Sequence, residues 1–302
     1  MTTLKVPEMH CNNCVRRITN AFNEAGLKFE ISLDDRTVTI DGCENCVKTA
    51  ISELDDLGFS AEQLRKMARW NLWHGCKKIS PGCKNCYVYR RDESIGLNPS
   101  DIHKTNSFDL PIRKNRAGEY KIPSGSVVYT CFTSDFFIEE ADEWRKDAWK
   151  MIRQRPDCMF FIVTKRIDRF YISLPDDWGD GYDNVFINST VENQAMADYR
   201  LPLLLKAPIK HKGIACEPLL ERVDLRKYLS PEIEIVGAGG ESGSNARVCE
   251  FDWVLDIRDA CIEAGVEFTY HQTGAKLKKD GKIYNIPRKY QHSQAHRAGI
   301  DT

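Results

Sequence analysis

From residue 127 onward the chain alternates strand-like and helix-like stretches, and this rhythm limits the fold more than any other feature. Runs rich in β-branched and aromatic residues lie at 127–132, 159–164, 184–190, 212–217, 234–238 and 266–271. Stretches with helical spacing, such as 141–153 and 252–264, fall between them. Strands that alternate with helices pair in parallel, because a parallel connection needs a crossover long enough to hold a helix. The expected class is therefore α/β, with a parallel sheet either open or closed into a barrel. Polar residues crowd the C-terminal ends of these runs: Thr133-Ser134-Asp135, Thr164-Lys165-Arg166, Ser189-Thr190, Glu217, Gly239-Gly240-Glu241-Ser242 and Gln272. Folds of this class build their sites at those ends.

A length of 302 residues favours about two domains. Charge divides them. Residues 1–62 carry six Lys and Arg against eleven Asp and Glu, a net of −5, in a chain whose total is −1. The near-neutral total argues against a generally basic nucleic-acid coat. The acidic part reads strand, helix, strand, strand, helix: Val15, Ile18, Phe22 and Ala25 fall on one helical stripe, as do Val47, Ile51, Leu54 and Leu57. No strand is visible after Phe59. The expected domains are 1–62, 66–274 and a basic tail at 275–302. The tail holds seven Lys and Arg against Asp280 and Asp301 and reads as solvated and partly mobile. No apolar run reaches the ~18 to 20 residues of a membrane span, and no signal-peptide core is visible, so the expectation is a cytoplasmic protein with no membrane partner.

Twelve cysteines are many for a reducing compartment, where thiols stay free unless metal holds them. Cys131, Cys158, Cys216, Cys249 and Cys261 lie singly and read as small buried hydrophobes. Seven others cluster. Cys11 and Cys14 form one C-x-x-C between a strand and a helix, where a helix N-terminus favours the thiolate and two sulfurs can grip one soft ion. A thiol redox pair shares that spacing. Cys43 and Cys46 form a second pair at the next helix, readable as a second soft-metal or cluster site or as a structural or redox pair. Cys76, Cys83 and Cys86 form C-x6-C-x2-C around Pro81-Gly82. Three thiolates on a [4Fe–4S] cube leave one iron open for a small molecule. Zinc competes, with His74 as fourth ligand.

VPEMHCNNCVRRITNAF and ELDDLGF resemble the heavy-metal-associated domain over about residues 3–60. That resemblance implies a ferredoxin-like α+β (βαββαβ) sandwich binding Cu(I) or another thiophilic ion through Cys11 and Cys14. In such a sandwich the two C-x-x-C pairs lie at opposite ends. WNLWHGCKKISPGCKNCY, FIVTKRIDRF, NVFINSTVENQAMADYRLPLLLKAP, ACEPLLERVDL and VGAGGESGSNAR, in that order over about residues 68–275, resemble a phage-encoded family of unassigned function whose members look like radical S-adenosylmethionine (SAM) proteins. The superfamily's usual spacing is C-x3-C-x2-C, so the likeness rests on the wider pattern. The pairing with a metal-associated domain is similar to the radical SAM mobile pair proteins.

This second resemblance implies a partial TIM-type (β/α)6 barrel with a [4Fe–4S] cluster on Cys76, Cys83 and Cys86. SAM would chelate the open iron, and one electron would release a 5′-deoxyadenosyl radical that abstracts a substrate hydrogen. It further implies SAM contacts from Ser134, Asp135, Lys165, Arg166, Ser189, Glu192, Glu217 and Tyr87, with Glu241 another lining candidate. Implied partners are an electron donor such as a flavodoxin or ferredoxin and a second radical SAM protein. Some of these residues have plainer readings: Asp135 or Glu192 as helix caps, Lys165-Arg166 as a solvated helix start. Two alternative functions stand beside the enzyme: a non-catalytic heavy-metal or iron–sulfur binding or sensing protein, and a nucleic-acid-modifying or repair enzyme using the same chemistry.

Overall fold

A computed structural model describes residues 2–64 and 66–302. The chain divides into two compact units, one of Met1–Met67 with Gly125–Val127, the other of Ala68–Ser124 with Val128–Thr302.

The first unit runs β1 (Thr2–Lys5), α1 (Asn12–Glu24), β2 (Phe29–Ser32), β3 (Thr37–Ile40), α2 (Glu44–Asp56) and β4 (Glu62–Leu64). Its sheet has the order β2-β3-β1-β4, antiparallel throughout. Helical spacing puts Ile18 and Phe22 of α1 and Val47, Ala50 and Leu54 of α2 into one core with Leu4, Val38 and Ile40 of the strands. Phe22 meets Phe29 edge-on, with ring centroids 5.2 Å apart. Removing a side chain such as Leu54 from this core would cost about 2–5 kcal/mol. The strand that the sequence hides is β4. It pairs with β1, Thr3 opposite Leu64 and Lys5 opposite Glu62. Three residues with a charged first member show no usable alternation, so only the backbone ladder reveals this edge.

The second unit holds β5 (Met67–Trp70, which begins in the first), β6 (Trp73–His74), α3 (Tyr87–Ser94), β7 (His103–Lys104), β8 (Val127–Thr130, likewise shared), α4 (Asp142–Arg153), β9 (Met159–Thr164), β10 (Val185–Thr190), α5 (Gln194–Lys206) and β11 (His211–Cys216). Then follow β12 (Ile233–Gly239), β13 (Cys249–Glu250), α6 (Phe251–Ala264), β14 (Glu267–Gln272), β15 (Lys276–Lys279), β16 (Lys282–Asn285) and α7 (Arg288–Arg297). Seven strands form one sheet in the order β14-β12-β11-β10-β9-β8-β5, and neighbours from β9 through β14 pair in parallel. This order follows the chain without reversing. A doubly wound sheet reverses at a switch point and carries helices on both faces. Here the sheet curls into a half-barrel.

Alternation along the strands separates two faces. Phe160, Ile162 and Thr164 of β9 are buried and Met159, Phe161 and Val163 are not fully so. The buried face packs against helical side chains, with Phe136, Trp149 and Trp178 in a chain of edge-on rings at 4.9 and 5.0 Å. The other face is concave, and two of its rings, Phe161 and Phe186, stack at 4.9 Å.

The stretch from 275 onward, expected as a mobile tail, is folded. β15 and β16 form a ribbon, and α7 follows with Gln291 and Ala295 buried. The edge of β14 is covered by the chain's last residues: the Thr302 amide donates to the Phe268 carbonyl at 3.0 Å and the Tyr270 amide to Asp301 at 2.7 Å. Closing an edge in this way removes a template for unwanted pairing. The basic residues hid this structure because β16 is exposed along its whole length, leaving no buried stripe to read. Among the described residues no helix is long and apolar enough to cross a membrane.

Candidate functional site

The three-cysteine loop is strapped across the C-terminal ends of the half-barrel strands. Beyond β8, Thr133 and Ser134 bond the backbone before Cys76. The Gly75 amide donates to the Thr133 carbonyl at 3.2 Å, and the Ser134 hydroxyl donates to the Gly75 carbonyl. Gly75 must be glycine, with a φ of +87° and only 2.3 Å between a would-be Cβ and the Asp101 carbonyl oxygen. Beyond β9, Arg166 points Nη1 at the Cys76 sulfur, 3.8 Å away, and donates through Nη2 to the Lys77 carbonyl at 2.8 Å. Beyond β10, Glu192 accepts the Gly82 amide at 2.9 Å. Beyond β12, Glu241 accepts Asn85 Nδ2 at 2.9 Å and is clamped by Arg247, whose guanidinium also reaches the Pro81 carbonyl at 3.1 Å.

These anchors engage several of the residues expected to contact SAM. Asp135 is spent inside the protein. It accepts the Thr164 hydroxyl at 2.7 Å, the Phe137 amide at 3.0 Å and the Lys165 amide at 2.9 Å, with Arg166 3.6 Å from the same carboxylate. Glu192 is spent too. It is fully buried against Arg200, 2.8 Å away, and a Cβ on Gly82 would sit only 3.0 Å from its carboxylate. Burial pushes Glu192 upward, but Ser80 and Arg200 outweigh it and hold the carboxyl below its ordinary value. Ser189 shares the helix-facing side of β10 with Ile187, because residues two apart in a strand point the same way. It is buried, and its Oγ has no partner. The Tyr87 hydroxyl donates to the Phe132 carbonyl; the ring is partly exposed, and desolvation around the hydroxyl together with the Cys86 charge pushes that phenol up.

The residues that do not anchor the loop are more telling. Lys165, half-buried at the end of β9, makes no ion pair among the described residues. Glu217 faces the concave side and pairs with His271 at 2.7 Å. Glycines clear the space beneath them: a Cβ on Gly237 would lie 2.5 Å from the His271 ring and one on Gly239 2.6 Å from Glu217. Asn188 lies over Gly213, its Oδ1 buried without a partner. Sequence reasoning passed over His271 and Asn188. Strand alternation offered the signal, since Asn188 and His271 fall on the concave phase of β10 and β14.

Cys76, Cys83 and Cys86 are free and half-buried. Burial and then the Asp135 charge push the Cys76 thiol up to about 12, against the pull of Arg166. Among the described residues no three His, Cys, Asp or Glu side chains converge on a single metal ion. An iron–sulfur cluster and a zinc ion would alike draw the three thiols together on loading, and zinc would add His74. His74, the expected fourth zinc ligand, is held by buried Asp92 at 2.8 Å. The donor set, three soft unpaired thiols with a cation beside one of them, fits a multi-iron cluster in chemistry.

In the first unit, Cys11 caps α1 in extended conformation and Cys14 sits one turn in, with the sulfurs 3.4 Å apart. A backbone N–H at His10 and the Cys11 side chain hold the Cys14 thiol below its ordinary value. Cys43 and Cys46 repeat this placement on α2.

Residues 65–299 match the family described as "Protein of unknown function (DUF5131)". Residues 3–60 match the heavy-metal-associated domain, which places a domain of that kind at the N-terminus and supports metal binding there. No curated protein matches the chain.

Proposed function

The chain belongs to the DUF5131 family of proteins of unknown function, and within it we propose a radical SAM enzyme that carries a soft-metal domain at its N-terminus. In this reading the half-barrel is a partial (β/α)6 barrel and the first unit a ferredoxin-like sandwich. One observation supports it above the others: a loop with three free thiols is tied to the ends of β8, β9, β10 and β12, at the rim of a concave face whose glycines make room for the side chains of Asn188, Glu217 and His271.

Cys76, Cys83 and Cys86 would hold a [4Fe–4S] cluster. The chemistry supplied on loading is one-electron cleavage of the SAM sulfonium, giving a 5′-deoxyadenosyl radical that abstracts a substrate hydrogen. The chain's own groups bind and orient. Arg166 places positive charge beside the Cys76 sulfur and favours its thiolate. Lys165, whose charge also acts on Glu192 without a direct ion pair, would meet the SAM carboxylate with a charge-assisted bond. Glu217, His271 and Asn188 line the concave face where substrate would lie. Asp135, Glu192 and Glu241 act as positioning residues for the loop. A flavodoxin or ferredoxin would deliver the electron.

The test is anaerobic. Reconstituted protein given dithionite and SAM is expected to yield 5′-deoxyadenosine, and Lys165→Met to raise the SAM concentration needed about tenfold, the order of one charge-assisted bond. No cleavage from a filled cluster overturns the reading. The heavy-metal-associated match would then favour the second reading, a non-catalytic metal-binding or sensing protein.

A further inference from the structure

We propose that Cys43 and Cys46 form a second site for a thiophilic d10 ion of the Cu(I) class, separate from the Cys11–Cys14 pair and independent of any radical chemistry. The first unit builds the same device twice. Cys11 and Cys43 each precede their helix in extended conformation, with ψ of 164° and 177°. Their partners follow three residues later, one turn into the helix. The sulfurs stand 3.4 Å apart in the first pair and 3.6 Å in the second. In both pairs the leading cysteine is exposed and the following one half-buried. A dithiol at this separation needs little rearrangement to grip one soft ion, and each thiol gives up a proton to solvent as it binds.

Two further observations bear on it. Gly42 makes room for the second pair: a Cβ there would lie 2.6 Å from the Cys46 Cβ and 2.7 Å from its sulfur. Any other residue would displace the thiol. The strands also keep the pairs apart. β1 and β3 are antiparallel, with Thr2 opposite Ile40 and Lys5 opposite Thr37. α1 follows the Lys5 end and α2 follows the Ile40 end. Strands of four residues at ~3.4 Å each separate those ends by roughly 10 Å. One ion therefore cannot bridge the two pairs within a chain, and the second pair needs an ion of its own.

The experiment is an anaerobic Cu(I) titration of the full, reduced chain against a chromophoric Cu(I) chelator. The wild type is compared with Cys11→Ser/Cys14→Ser, Cys43→Ser/Cys46→Ser and the fourfold variant. Serine keeps a helix-capping side chain. Each double variant is expected to bind one equivalent fewer than the wild type, and the fourfold variant two fewer. Ions taken by other thiols cancel in these differences. Gly42→Ala is expected to weaken the Cys43–Cys46 equivalent at least tenfold while sparing the other. A Cys43→Ser/Cys46→Ser chain that binds as many ions as the wild type overturns the proposal. In case a variant misfolds, alkylation mapping of the unaltered chain supplies the second readout. Cu(I) is expected to shield both Cys43 and Cys46 from iodoacetamide, and unshielded thiols overturn the proposal equally.

Discussion

The N-terminal dithiol turn and the three-cysteine loop hold sulfur in opposite ways. Cys11 and Cys14 already stand within reach of one ion, at an exposed helix start with no side-chain cap. Little of the protein depends on them. Cys76, Cys83 and Cys86 do not converge on one ion, yet the backbone that carries them is fixed by Glu192, Arg166, Glu241 and the strand-end residues beyond β8. The first arrangement suits an ion that comes and goes. The second suits a larger group that stays and must sit at a fixed height over the strand ends. In this comparison the anchoring of the backbone separates the two sets of thiols more clearly than sulfur spacing does, which is what the proposed resident cluster and exchangeable ion would require.

The comparison breaks most visibly at the sulfurs themselves. Single Ala replacements at Cys76, Cys83 or Cys86 are expected to abolish a SAM-responsive cluster signal in electron paramagnetic resonance, while Cys11→Ala leaves it intact. The next largest effect is on stability. Glu192→Ala strands Arg200, whose Nε already lacks a partner in the interior. Denaturant unfolding should show a loss of about 3–5 kcal/mol. Cys11→Ser, at an exposed position, should stay within about 0.5 kcal/mol of wild type.

Thiol reactivity offers a finer contrast. Burial and the Asp135 charge push the Cys76 thiol up, whereas a backbone N–H and the Cys11 side chain hold the Cys14 thiol below its ordinary value. Because the thiolate is the nucleophile, the cluster-free protein at neutral pH should alkylate Cys14 at least tenfold faster than Cys76, as mass mapping would measure. The smallest expected effect concerns His271. Burial would lower its basicity, but Glu217 outweighs burial and raises it. The ion pair therefore contributes at pH below the ordinary histidine value and is lost as pH rises through the elevated one. Glu217→Gln should move the His271 titration, followed by NMR, to lower pH.

Much of the frame was legible in residue order. The run 159–164 is β9 to the residue, and five of the other six sheet strands lie within two residues of the stretches read from their apolar content, while β5 at the sheet edge was not read at all. The polar strand ends were visible because they interrupt those runs. Their division of labour was not. Nothing in the order of residues tells that Asp135 turns to Thr164 or that Glu192 meets Arg200 and the Gly82 amide, since these bonds join segments as far as 110 positions apart. Lys165 and Arg166 read alike, yet one is buried against Cys76 and the other left without an ion pair. The fold of 275–302 escaped because the positions α7 buries one turn apart, Gln291 and Ala295, are a polar and a small residue that do not read as an apolar stripe, and Leu277 stands alone.

The most direct measurement is Mössbauer spectroscopy of anaerobically iron-57-reconstituted full-length protein, before and after SAM. The account predicts a [4Fe–4S] spectrum in which one iron site becomes distinct from the other three once SAM is added. A colourless, iron-free protein retaining zinc on Cys76, Cys83 and Cys86, or a cluster whose four irons ignore SAM, would contradict it.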